Sequence, residues 1–412
     1  MIRLLQSRKY YFFAAIIVVG LVLVTIGNWL VLEEYPAGDE FIAHWVGTRA
    51  FLTDGTSPYA DDAAAKISTT IKELHPENAR IEYRFLAPLF ALFLYTPISL
   101  VKNPMLATAI WMTILEVSLL FAGLSLFRWQ KSKKPASIFL LLILVVVVSY
   151  PSVMSILNGD IVIISFALII FSIMAIRNHN DETAGVMLGI SLIKPDVSWL
   201  IVLFLLIWAI IDRRVKIVYW FMGTLIILMG FSLLLIPSWP LQYARSVIQY
   251  SFDNPISSNG SEIASAFTGI STRFAIVKVV FILAILIVEW FFIKNRGIKR
   301  IYWLFALTMA ASLWLSTRSS VEYLIFSIPG LFLGLDLFME RWKGKIEFFV
   351  AGLLIVLLVG QWAVSGFFLT GPMVIHSETI LRIVLPGISI ILLYWSRWWA
   401  LYGKNLDDLD RF

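Results

Sequence analysis

"TAGVMLGISLIKPDVSWLIVLFLLIWAIIDRRVK", residues 183–216, decides how this chain is threaded. From Thr183 to Ile211 it runs for 29 mostly apolar residues. At 1.5 Å per residue that is too long for one straight crossing of a hydrocarbon core about 30 Å thick, and too short for two full ones. The rest of the chain makes a bilayer the expected solvent. Of 412 residues 59% are hydrophobic and only 15% are charged, and the mean hydropathy is +0.85. That is more apolar surface than a water-soluble fold of this size can bury, so the fold class is an all-α polytopic membrane protein. The absence of cysteine excludes disulfides and thiolate metal sites. The four histidines, His44, His75, His179 and His376, are too dispersed in sequence to read as a metal-ligand cluster. A net charge of +6 is accounted for by basic cytoplasmic loops, so nucleic acid is not an expected partner.

Charge then orients the path, because short cytoplasmic loops are rich in Lys and Arg. The opening "MIRLLQSRKYYFFAAIIVVGLVLVTIGNWLVL" is basic at its start, has a long apolar core and lacks a small-residue cleavage site, so it reads as a retained signal anchor spanning 10–32. Segment 33–84 follows outside, with twice as many acids as bases. Residues 85–101 read as an interfacial or re-entrant helix, which completes a first outer loop over 33–103. Spans are expected at 104–127, 136–156 and 160–176. Parity settles the opening stretch. A single crossing there would put "DRRVK" outside, and with it the later "KNRGIKR" and "ERWKGK" clusters. Two crossings with "KPD" at the turn keep all three inside, and they leave Lys194 within the outer half of the bilayer. Further spans at 215–236, 274–293, 301–317, 322–339, 346–368 and 379–396 bring the total to about twelve. Both termini are then cytoplasmic, a second outer loop covers 237–273, and residues 1–412 form a single membrane domain. No internal repeat of the kind common in secondary transporters is visible.

Polar residues gather on the outer side of this path. Asp39 and Glu40 follow the first span directly. A neighbouring acid pair can supply a general base whose proton affinity is raised by its partner. The plainer reading is that Asp39 caps the helix suggested by "EFIAHWVGTRAFL". Lys194, beside a proline at the apex of a half-length hairpin, is placed to meet an anionic headgroup. Alternatively it snorkels and pairs with Asp196. Gly185 and Gly189, four residues apart, read as a close helix contact. Asp160 in "LNGDI", Asn259, Ser261 and Glu262 in "SSNGSEIASAF", and Arg318 and Glu322 in "LSTRSSVEY" lie at other outer ends.

These motifs carry a resemblance. "DEFIAHWVGTRAFLTDGTSPYAD", "LNGDIVIISFALIIF", "AGVMLGISLIKPD", "SNGSEIASAF" and "LWLSTRSSVEY" resemble, in order, the segments of glycosyltransferase family 87, polyprenol-phosphate-mannose-dependent mannosyltransferase-like proteins of the GT-C superfamily. The resemblance implies a GT-C-like fold and a membrane hexosyltransferase. Such an enzyme would move mannose or another hexose from a polyprenyl-phosphate carrier to a hydroxyl of a lipid or glycan acceptor, at the outer face of the cell membrane. It implies a first-loop acid as base, on Glu40 by register with "HW" or on Asp39 by residue type. It implies basic residues for the lipid phosphate, with Lys194, Arg318 and Arg49 as candidates. His44, Asp160, Asn259 and Glu322 are candidates for acceptor or sugar contacts. No cofactor or protein-held metal is expected, with a divalent cation the open alternative. The rival class is a lipid or polysaccharide flippase without transfer chemistry, in which the same cationic hairpin would grip a lipid phosphate during passage.

Overall fold

The computed structural model describes residues 2–76, 82–128, 135–253, 273–293, 298–316, 320–342, 346–365 and 372–402. Among them the only regular structure is helical. In chain order the helices are α1 (Ile2–Glu34), α2 (Asp39–Asp54), α3 (Asp61–Leu74), α4 (Leu92–Ser99), α5 (Pro104–Phe127), α6 (Ala136–Val148), α7 (Tyr150–Asn158), α8 (Val162–Arg177), α9 (Asp181–Ser191), α10 (Pro195–Ile211), α11 (Val215–Leu235), α12 (Trp239–Asp253), α13 (Arg273–Ile293), α14 (Ile298–Leu315), α15 (Ile328–Trp342), α16 (Glu347–Val364) and α17 (Pro372–Tyr402). Each predicted span overlaps helix among the described residues, with 136–156 divided between α6 and α7. Seven helical stretches among the described residues are long and apolar enough to cross a membrane. Leu234 is 81% exposed and Phe348 92% exposed, which suits side chains solvated by lipid rather than water. The protein is polytopic and all-α.

Two compact units can be described. The first comprises residues 1–117, 156–160 and 238–250. Its α1 is peripheral, with 11% of its apolar window buried, and a polar patch holds it to α5. Asn28 donates to Thr113 Oγ1 at 3.1 Å and to Glu116 Oε2 at 3.2 Å. Such bonds suit a bilayer, where packing and hydrogen bonds rather than hydrophobic burial join helices. The stretch predicted as one helix over 85–101 is shorter. It contains a 3₁₀ turn at Leu89–Ala91 and then α4, only eight residues long, with Pro97 inside it. At about 12 Å it cannot span. Leu89, Leu92 and Tyr95 are buried, and the Tyr95 ring stacks on His44 of α2. Residues 239–250 of α12 pack onto the same unit, where Ser57 donates to Gln242 Oε1 at 2.6 Å and Tyr59 meets Tyr243 edge to face.

The second unit comprises residues 118–155, 161–237 and 251–412. The threading problem of 183–211 is resolved here as a hairpin. α9 stops at Ser191, α10 starts at Pro195, and proline at the first helical position needs no backbone donor. Arg214, just past α10, bonds the Asp181 carboxylate at the start of α9 and donates to Ile176 O at 2.9 Å, so the chain returns to where the hairpin began. Gly185 and Gly189 do form a close contact. A Cβ on Gly185 would lie 2.4 Å from Ile217 O of α11, and one on Gly189 2.9 Å from Thr224. The predicted continuous span at 136–156 is broken. Ser149 turns out of the helix at ψ 148°, ahead of Pro151, whose ring removes a donor and disfavours a straight helix through it. Ser152 Oγ donates to Val146 O at 2.5 Å, taking up a carbonyl freed by the break.

Candidate active site

Helix α2 starts at Gly38, whose φ of 104° is left-handed and whose Cβ, if present, would lie 2.6 Å from Thr108. Only glycine fits there, and this turn makes Asp39 the first helical residue. No side chain caps the helix, so Asp39 does not serve as the N-cap. Its carboxylate reaches across the segment instead. Oδ1 accepts from His75 Nδ1, and Oδ2 accepts from the Tyr83 hydroxyl at 2.8 Å. An ionised carboxylate only accepts, so Nδ1 of His75 carries the hydrogen.

Local folding brings these three together. His75 is the residue that ends α3, its N–H bonded to Ile71 O. α3 lies beside α2 in the opposite direction. The Lys66–Asp54 ion pair of 2.6 Å ties one end of the pair and the His75–Asp39 bond ties the other. Asp39 is 8% exposed and His75 4%. Burial, and then the Asp39 charge, push the Tyr83 hydroxyl far above its ordinary pKa of 10.0, so it stays a neutral donor. The positive end of the α2 dipole also favours the carboxylate. Glu40, one residue on, is half-buried.

The other predicted residues of this unit fall around α2. His44 is buried; its Nδ1 lies 2.6 Å from Glu40 O, and its ring lies against Tyr95 and Phe85. Arg49 donates to Ser99 O at 2.8 Å, where a cation suits the C-terminus of α4, and its guanidinium lies 4.9 Å over the Trp45 ring. It also lines a 510 Å³ groove between α2 and α3, with Lys66, Thr69 and Thr70 on the far side. Asp160 is 3% exposed. It follows Gly159, which has a left-handed φ of 69° and on which a Cβ would lie 2.5 Å from Phe41, two residues after Asp39.

Lys194, in the other unit, caps α10 with its backbone and is 3% exposed. Its ammonium lies 5.3 Å from the Tyr323 ring centroid, a cation–π distance. The Tyr323 hydroxyl donates to Asp196. Asp196 Oδ1 is buried and has no hydrogen-bond partner among the described residues. The alternative of a snorkelling Lys194 paired with Asp196 is therefore replaced by a buried lysine against an aromatic face. Glu322 is 8% exposed and accepts from Ser155 Oγ at 3.1 Å through its carbonyl. Asn259, Ser261, Glu262 and Arg318 lie outside the described residues. Among the described residues no three His, Asp or Glu side chains form a metal-binding group.

Sequence reasoning missed His75 and Tyr83. His75 lies 36 residues from Asp39 and Tyr83 lies 44, so no local spacing signals either one.

The family model of glycosyltransferase family 87 matches residues 85–317, more than half of the chain. The chain belongs to glycosyltransferase family 87. This family member is a membrane glycosyltransferase, and the matched region includes Asp160, the α9–α10 hairpin and Lys194. Asp39, Glu40 and His75 precede it. No curated relative matches the chain.

Proposed function

We propose that this family 87 member transfers mannose or another hexose from a polyprenyl-phosphate donor to a hydroxyl acceptor, a lipid or a glycan, at the extracytoplasmic face of the cell membrane. Both termini lie in the cytoplasm on this reading. Nucleotide sugars are cytosolic, so a transferase working outside needs a lipid-linked donor. In the reaction the acceptor oxygen bonds the anomeric carbon as the bond from that carbon to the phosphate oxygen breaks. The acceptor proton passes to a carboxylate, and the polyprenyl phosphate leaves with the bonding electron pair. Lys194 and Arg318 would offset its growing negative charge, and Asp160, His44, Asn259 and Glu322 are candidates to contact the sugar or acceptor.

The observation that carries this reading is the buried Asp39 carboxylate, fixed by His75 and Tyr83. A base held in one orientation before substrate arrives requires no reorganisation during transfer. Asp39 is therefore favoured over Glu40, which follows it on the same helix turn. Membership in a transferase family favours group transfer over passive lipid passage. The test measures transfer of radiolabelled hexose from polyprenyl phosphate by Asp39→Asn and Glu40→Gln separately. Loss in the first alone supports Asp39. Loss in the second alone moves the base to Glu40, and full activity in both variants and in the double variant overturns the carboxylate-base reading.

A further inference from the structure

A cavity of 410 Å³ opens within the second unit, between α13, α14 and α17. Its walls include Phe281 and Leu286 of α13, Ala311 and Trp314 of α14, and Tyr394 of α17, and its charged lining residue is Lys278. The volume falls within the range of about 300–1,000 Å³ typical of small-molecule sites. α13 has 21 residues, about 31 Å, which matches the hydrocarbon thickness. Lys278 lies five residues into it, about 7 Å from its end. Lys278 makes no hydrogen bond or ion pair with the described residues. An intramembrane lysine that lines an otherwise apolar cavity is a candidate for an anionic ligand.

We propose that this cavity seats one chain of an anionic phospholipid from the surrounding bilayer, with Lys278 paired to its phosphodiester. Two features favour that occupant. The cavity borders a face open to lipid, since Phe281 is 64% exposed and its neighbours Val277 and Val280 are 62% and 60% exposed, so a ligand enters sideways from the membrane. One lysine also balances one phosphodiester charge, whereas a zwitterionic headgroup would bring its own cation against it. The depth from Lys278 to Leu286 is about 12 Å along the helix. That takes a stretch of acyl chain and leaves the headgroup at the lysine. The inference rests on this cavity and does not depend on the transfer reading.

The full chain, purified and exchanged into phosphatidylcholine vesicles containing phosphatidylglycerol, is examined by native mass spectrometry for retained lipid. The wild type should retain phosphatidylglycerol in preference to phosphatidylcholine. Lys278→Gln should lower that preference about fivefold, the worth of one lysine–lipid attraction, and Lys278→Arg should keep it. Ala311→Phe, which fills the cavity without touching the charge, should remove the retained lipid altogether. Unchanged preference in Lys278→Gln, or an unchanged lipid count in Ala311→Phe, overturns the proposal. So does displacement of phosphatidylglycerol by equimolar farnesyl phosphate, which would assign the cavity to prenyl phosphates instead.

Discussion

Asp39 and Lys194 are both buried charged groups, and the protein treats them differently. Asp39 is held at both oxygens by side chains 36 and 44 residues away, the first of them brought in by the antiparallel pairing of α2 and α3. Lys194 has its place fixed by its own backbone at the start of α10 and by packing of the hairpin on α11, with an aromatic face beneath its ammonium. The first arrangement fixes a carboxylate by side-chain hydrogen bonds. The second fixes a helix end and sets the ammonium against an aromatic face. A general base needs orientation, whereas a phosphate partner needs mainly position and charge, so the two treatments fit the roles proposed for them.

The contrast breaks most visibly at Asp39. Asp39→Asn keeps the shape and removes the proposed base, and should lower kcat for the proposed hexose transfer by about 10²–10⁴-fold with donor KM little changed. A loss confined to KM would make Asp39 a binding residue and erase the distinction from Lys194. The packing side is probed at the hairpin. Gly185→Val places atoms where Ile217 O and Trp220 already stand and should cost about 1–3 kcal/mol as overpacking. The measurement is the thermal midpoint in detergent, and an unchanged midpoint would show that the hairpin is not held by this contact.

Lys194→Ala should raise donor KM about tenfold, equivalent to about 1.4 kcal/mol, and Lys194→Arg should recover part of it. An unchanged KM would remove Lys194 from the phosphate site. The smallest effect is expected at Tyr83. Tyr83→Phe removes one donor to Asp39 and should cost about 1 kcal/mol, seen as a modest fall in kcat. The folded tyrosine holds its proton above its ordinary pKa of 10.0, so its contribution to stability is complete below that pH and declines as pH rises past it. Tyr83→Phe should flatten that alkaline decline in the thermal midpoint.

Much of the architecture was legible because bilayer spans are written locally. Apolar length and the half-length arms of 183–211 placed helices where they occur, and the Gly185/Gly189 spacing announced a close helix contact. The break at Ser149 and the packing of 85–101 against α2 were not legible. In both cases the outcome depended on which polar groups and pockets the neighbouring helices supplied. The candidate site divides in the same way. Asp39, Glu40 and Lys194 stood out by position, but His75 read only as one of four scattered histidines, since the fold alone brings it to Asp39.

By itself, then, the sequence determined that this is a polytopic helical protein, where its helices lie, and which acid pair and which lysine stand at their ends. Those properties follow from hydrophobicity and charge over a few turns of chain. Only the tertiary structure decided that Asp39 is held by His75 and Tyr83 rather than capping its helix, and that Lys194 lies against Tyr323 rather than Asp196. Only it revealed that Lys278 borders an apolar cavity. Each of these is a contact between residues distant in sequence, set by how helices pack and not by any local pattern.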